Sequence, residues 1–332
     1  MTNKFNLKHR FASGFQNIKE QLETPLRRQL FFKRIILFIV NVLKYMLIIG
    51  LCFIILYPII LQLAIAFRAP EDVNNPAILW IPARFSLKNF EVAIIALKYW
   101  EALRYTVIVS LSITLLQLIS TSLAGYAFAR LRFRGSSLLF GLALFTIIVP
   151  QTVIALPLLR SVTRMGLIDK PITLFLMSGL GMGIRSGIFI YLFRQFYRGI
   201  PIELEEAAVV DGANAFQVFH RIMLPNAKPA IITVGLLSFV WQWNDFYFTK
   251  IFSGGKYFTL TTQQVAVLYG LQQALADAGV WSLLGQDITD NPYFTSMILN
   301  TSGILVMLPL LIIYFFVQKM FVEGIERSGI VG

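Results

Sequence analysis

The chain has 332 residues, of which 57% are hydrophobic and 14% charged, and its net charge is +12. A soluble domain is roughly 25% charged, so 29 Lys and Arg with 17 Asp and Glu cannot cover a soluble core of this size. The composition excludes an ordinary cytosolic enzyme and a disordered chain, and it points to a polytopic membrane protein.

The N-terminal stretch 1–44 is basic. Leu7, Phe11, Phe15, Ile18 and Leu22 recur there at helical spacing, which suits either an amphipathic helix on the inner membrane face or one packed on the chain's own spans. No short apolar run with a cleavage site precedes Tyr45, so the first span is expected to be retained. Six stretches are long and apolar enough to cross a bilayer, a length of about 20 residues. They are 45–67, 105–128, 138–159, 172–193, 229–249 and 296–317; within them only Arg185 and Asp245 are ionised. Pro58, Pro150, Pro157 and Pro309 fall inside spans, where neighbouring groups can satisfy the freed carbonyls. Period-2 alternation is absent, which argues against a β-barrel. Cys52 cannot form an internal disulfide and reads as a small buried hydrophobe.

Lys and Arg set the orientation. Segments 1–44, 129–137, 194–228 and 318–332 hold 18 of them, and segments 68–104, 160–171 and 250–295 hold 10. The first set is therefore expected to be cytoplasmic, with both termini inside. The basic excess is thus mainly a topology signal and does not call for nucleic acid.

Segment 200–225, between the fourth and fifth spans, is the most informative. Ile200-Pro201 opens a helix whose first turn carries Glu203, Glu205 and Glu206, where the helix dipole favours acids. Gly212 interrupts the pattern, and a second short helix sets Ala215, Phe216, Phe219, Ile222 and Met223 on one side before Leu224-Pro225 ends it. The result is a compact knob outside the membrane, with small Ala207 and Ala208 at its head.

The spacing Glu206-Ala207-Ala208, three residues, Gly212, nine residues, Ile222, one residue, Leu224-Pro225 matches the EAA signature of ATP-binding-cassette importer permeases. Three further stretches resemble the sugar-importer branch, closest to the maltose-type permease with a short N-terminal region. They are Leu123-Ala124-Gly125-Tyr126-Ala127-Phe128-Ala129-Arg130-Leu131-Arg132-Phe133, then Arg194-Gln195-Phe196 followed by Ile200-Pro201, and Phe239-Val240-Trp241-Gln242-Trp243-Asn244-Asp245. The resemblance covers roughly residues 45–332. The N-terminal extension and the external segment 250–295 are longer than the family pattern, with Leu271–Leu284 read as an insertion.

The resemblance implies an all-α integral membrane protein with six transmembrane helices and a cytoplasmic coupling helix, in the inner membrane of a bacterium. It implies a heteromeric importer of a second permease subunit, an ATPase dimer and an external solute-binding protein. This chain would bind no cofactor, ATP and Mg being held by the partner ATPase. The coupling residues it implies are Glu205, Glu206, Ala207, Ala208, Asp211, Gly212, Ala213, Phe216, Ile222, Leu224 and Pro225. Glu206 would orient the docking, Ala207 and Gly212 would allow close approach, and Phe216 and Phe219 are candidates for holding the knob to the spans. Gly254 and Gly255 would give a flexible tip to a loop reaching the binding protein.

Asp245 and Arg185 are ionisable groups within spans and so functional candidates. Ser238, Gln242 and Asp245 are spaced four and three, which sets them on one helical face; with Asn244 they are the candidate solute path. The alternative is that Asp245 is solvated near the outer end of its span, beside an interfacial belt of Trp241, Trp243 and Tyr247. Arg185 either snorkels inward or pairs within the bundle.

The chain lacks a GxxxxGK[ST] phosphate loop and is not expected to hydrolyse ATP itself. Nor does it show a nucleophile–base arrangement. The rival readings are an importer of the same class for a peptide, amino acid or anion, a secondary transporter, and a membrane enzyme. A secondary transporter would call for paired repeats or several buried ionisable groups. An enzyme would call for an acidic or histidine cluster at a membrane face.

Overall fold

The computed structural model describes residues 25–72, 81–253, 258–277 and 291–329. The described residues are helical, with one isolated antiparallel bridge, Arg68 to Phe85. The chain divides into two compact units at Gln62/Leu63.

Helix α1 (Pro25–Ala66) makes up the described part of the first unit and carries the chain into the second. It begins twenty residues before the expected span start at Tyr45, so 25–44 continue the same helix; Leu7 to Leu22 of the proposed amphipathic stretch lie outside the described residues. Its 42 residues measure about 63 Å, beyond the roughly 30 Å of a hydrocarbon core. Apolar side chains are exposed all round it, the pattern of a helix solvated by lipid. Cys52 is among the exposed residues, so the expectation of a buried cysteine does not hold. Asn89 fastens the end of α1 by donating to the carbonyls of Ala66 (3.0 Å) and Arg68 (2.7 Å).

In the second unit α2 (Lys88–Ala96) leads to α3 (Tyr99–Arg130). Next come α4 (Ser136–Ile148), α5 (Gln151–Arg164), α6 (Ile172–Gly179) and α7 (Ser186–Gly199). After them come α8 (Glu203–Val210), α9 (Ala215–Asn226) and α10 (Lys228–Trp243). The unit ends with α11 (Tyr247–Ser253), α12 (Leu260–Asp277) and α13 (Pro292–Gly329).

Helices α1, α3 and α13 are long and apolar enough to cross a membrane unbroken. The other expected spans are interrupted. The stretch 138–159 bends by 109° between α4 and α5. Pro150 forces its predecessor out of the helical region, and Val149 is extended at ψ 121°. The stretch 172–193 unwinds between α6 and α7, where Gly179, Gly181 and Gly183 lower helix propensity. The stretch 229–249 ends its helix at Trp243 and resumes as α11.

Helix α3 is the central strut, packed along α7, α10 and α6. Gly125 makes its closest approach to α7 possible: a Cβ there would sit 2.5 Å from Phe193 Cβ and 3.0 Å from the Arg194 nitrogen. One core joins α2, α12 and α13 to the N-terminal end of α3 and the C-terminal end of α10, with Trp243 fully buried and donating to the Val306 carbonyl at 3.1 Å. Trp243 is thus a core residue and not part of an interfacial belt. Leu271 and Leu275, in the stretch read as an insertion, are also buried in this core. A second core joins the C-terminal ends of α3 and α7 and the N-terminal end of α10 to the α8–α9 knob.

Candidate functional site

The knob is built by local chemistry. Helix α8 stops because Gly212 takes φ +86°, a left-handed conformation that only glycine adopts without strain. The Gly212 and Ala213 amides then donate to the carbonyls of Val209 (3.0 Å) and Ala208 (2.9 Å), closing a Schellman turn. A Cβ at Gly212 would meet nothing within 4 Å in this chain, so the fold needs glycine there for its backbone and not for its size. Asn214 then starts α9 with a reciprocal cap: the Gln217 amide donates to Asn214 Oδ1 (3.0 Å) and the Asn214 amide to Gln217 Oε1 (2.9 Å). This satisfies two donors that a helix start leaves orphaned. A π-helical turn, Phe219–Met223, precedes Leu224-Pro225. The axis then turns 79° into α10.

The knob has two faces. Ala208, Val218, Phe219, Met223 and Ala227 are buried against Tyr126, Phe193 and Tyr197, and Ala213, Ile222 and Leu224 pack at the edge of that cluster. The Tyr126 and Phe219 rings lie 5.2 Å apart. Glu206, Ala207, Asp211, Gly212 and Pro225 are exposed. So are the apolar Ile202, Leu204, Val209, Val210 and Phe216, the last two at 86% and 69%. The single face expected for Ala215, Phe216, Phe219, Ile222 and Met223 therefore splits: Phe219 and Met223 hold the knob to the bundle, while Ala215 and Phe216 point outward.

Glu205 faces inward as well. Its Oε2 lies 3.4 Å from Arg130 Nε, and Tyr126 donates to its Oε1 at 3.1 Å. Arg130 also donates to the Ile200 carbonyl, the residue that leads into the knob. Arg130 was legible in sequence only as a topology anchor. Its run of basic neighbours gives no signal that it reaches a carboxylate 75 positions away.

The residues of the candidate solute path do not form one helical face, because α10 ends at Trp243 before Asp245 is reached. Ser238 is buried and donates to Gln117 Oε1, and Gln242 is buried beside Thr249 Oγ1 at 3.5 Å. Asp245 caps α11, accepting from the Thr249 amide and hydroxyl, both at 2.8 Å, and from the Phe248 amide at 3.2 Å. Asn244 is exposed and donates to the Val240 carbonyl. Gly254 and Gly255 lie outside the described residues. Arg185 sits in the unwound turn before α7 with φ +56°, its guanidinium 4.6 Å from the Trp241 ring centre. It pairs within the bundle through an aromatic face and not through a carboxylate.

Residues 118–327 match the family described as binding-protein-dependent transport system inner membrane component. The chain belongs to this family of ABC transporter permeases. The match contains the knob, α7, α10 and most of α13. Among relatives, the chain is 27% identical over 298 residues to the arabinooligosaccharides transport system permease protein of Halalkalibacterium halodurans, covering 88% of this chain and 98% of that one. It is 26% identical over 297 residues to the maltodextrin transport system permease protein of Bacillus subtilis, covering 88% and 96%. It is 31% identical over 225 residues to a probable ABC transporter permease of Pyrococcus horikoshii, covering 68% and 73%. The fold is similar to that of a chain in the crystal structure of a bacterial ABC transporter involved in the import of the acidic polysaccharide alginate. The TM-score is 0.67 at 21% identity, over 85% of this chain and 96% of that one.

Proposed function

We propose that this chain is the permease subunit of an ATP-driven, binding-protein-dependent importer and forms half of the translocation path for a sugar or oligosaccharide. The observation that carries the reading is the two-faced knob: one face is fixed to three helices by Phe219, Met223 and the Glu205–Arg130 pair, the other is an exposed apolar and acidic surface. Large apolar side chains left exposed together with acids on one short segment suit a partner surface. The sugar class is supported by the arabinooligosaccharide and maltodextrin permeases among the relatives.

In this reading the chain crosses the inner membrane six times with both termini inside, through α1, α3, the bent α4–α5, the broken α6–α7, α10 and α13. The knob lies in the cytoplasm and docks on an ATPase dimer that holds ATP and Mg. A second permease completes the path, and a solute-binding protein delivers the sugar from outside. Closure of the ATPases pushes the knob. Because the knob is bonded to α3 and packed on α7 and α10, the push is delivered to the helices as a rigid-body movement. The chain contributes no catalytic group.

The test is to co-express the chain with its neighbouring permease and ATPase genes, purify the assembly and reconstitute it with the binding protein. ATP hydrolysis stimulated by the loaded binding protein, together with ATP-dependent sugar uptake, is the expected result. Failure of an ATPase subunit to co-purify would overturn the reading.

A further inference from the structure

Three features of the bundle share one depth. Gln117 lies thirteen residues along α3 from Arg130, Arg185 fourteen residues along α7 from Gly199, and Trp241 thirteen residues along α10 from Lys228. At 1.5 Å per residue, each is about 20 Å from the knob end of its helix. On the importer reading that depth is inside a hydrocarbon core about 30 Å thick. Here the chain is unwound between α6 and α7. Backbone at this depth survives only where protein or water satisfies it. Gln117 does so on one side, donating to the Ile184 carbonyl (2.9 Å) and to Ser186 Oγ (3.1 Å) while accepting from Ser238. Those polar groups are spent on one another.

Arg185 is not. It is exposed and held at φ +56°, a region that non-glycine residues seldom occupy and that clusters at functional sites. Its guanidinium lies over Trp241, which is itself stacked on the fully buried Phe189 at 5.3 Å and 21°. Among the described residues its side chain makes no hydrogen bond and no ion pair. A charge at this depth does not face lipid. The arrangement is a flat guanidinium, fixed by an aromatic platform, with its fork of N–H donors unused.

We propose that Arg185 is a solute-contact residue: positioned by Trp241, it donates to a pair of adjacent oxygens on a sugar ring passing the break between α6 and α7. This rests on the importer reading. Discontinuous helices near the midplane are where secondary transporters place their sites, the break between α6 and α7 offers the same kind of opening here, and a planar fork suits vicinal oxygens better than an ammonium does.

The test uses the reconstituted complex and radiolabelled arabinotriose or maltotriose, whichever the wild-type assembly takes up. Arg185→Gln is expected to lower the sugar moved per ATP hydrolysed about tenfold, the scale of one charged hydrogen bond, with Arg185→Lys intermediate. In a Cys52→Ala background, Arg185→Cys is expected to react with a hydrophilic thiol reagent and to be protected at least threefold by the loaded binding protein. Unchanged sugar per ATP in Arg185→Gln, or a thiol at 185 that stays unlabelled, would overturn the proposal. Loss of the second permease from the Arg185→Gln complex would also overturn it, by assigning the guanidinium to a subunit contact. A wild-type complex whose ATPase does not respond to the loaded binding protein would instead sink the importer reading, and this proposal with it.

Discussion

Glu205 of the knob and Arg130 at the end of α3 approach to 3.4 Å, with side chains only 19% and 10% exposed. The pair links the moving part of the proposed machine to its central strut. Breaking one side leaves a largely buried charge alone, which costs more than the pair itself contributes. Arg130→Ala and Glu205→Ala are therefore each expected to lower the melting temperature of the purified permease. The double variant is expected to lose less than the sum of the two, by roughly 0.5–3 kcal/mol, the range for directly coupled residues. Additive losses in that thermal cycle would show that the two side chains do not act together. Uptake per ATP should fall in both single variants, because the knob would then be held by packing alone.

The contact of α3 with α7 sets a second expectation. A methyl group at Gly125 would be pressed against Phe193 Cβ and the Arg194 backbone, and backbone atoms cannot rotate aside. Overpacking of this kind costs about 1–3 kcal/mol. Gly125→Ala should reduce thermal stability by that order, and Gly125→Leu should prevent folding of the α3–α7 pair. Gly141→Ala is the control, since a Cβ there meets nothing within 4 Å; its melting temperature should match or slightly exceed the wild type, because alanine favours the helix over glycine.

What the sequence made legible follows from the range of its signals. Apolar length revealed the helices, and the spacing from Glu206 to Pro225 revealed the knob, because both are local patterns. Helix ends were less visible. Basic residues marked Tyr45 as a boundary, yet α1 continues back to Pro25, since Arg and Lys are good helix formers. Hydropathy also reads straight through Val149-Pro150 and through Gly179–Arg185, where the chain bends or unwinds without losing apolar character. Pairings between distant positions were silent. Glu205 to Arg130 and Arg185 to Trp241 are contacts between helices, and no periodicity within either partner announces them. The proposed face of Ser238, Gln242 and Asp245 failed for the same reason: its spacing assumed an α10 that continues past Trp243.

Gly212 gives a test that separates conformation from contact. Its φ of +86° would strain any L side chain, while the space around its α-carbon is open within the chain. Gly212→Ala should therefore cost about 1–2 kcal/mol, measured as a melting shift of the isolated permease. Gly212→Asn should cost less, because asparagine tolerates the left-handed region better. If uptake falls with Gly212→Asn while the melting temperature holds, the lost function comes from a partner's close approach at this turn.

Phe216 and Phe219 are three positions apart on α9 and are predicted to fail in opposite ways. Phe219 is 7% exposed and packs on Tyr126 and Tyr197; Phe216 is 69% exposed and, among the described residues, stacks on His220 alone. Deleting a buried phenyl ring costs about 3–5 kcal/mol, so Phe219→Ala should destabilise the permease itself and lower the yield of folded protein. Phe216→Ala should leave the melting temperature of the isolated subunit within about 0.5 kcal/mol of wild type, as surface changes do. Its effect should appear on docking. An exposed aromatic that fills a partner's pocket is worth about 2 kcal/mol or more, or roughly thirtyfold in affinity. ATPase retention on the immobilised permease, measured over a titration of ATPase, would read that difference. Equal retention by wild type and Phe216→Ala would remove Phe216 from the docking surface and leave the knob's contact to Glu206, Val209 and Val210.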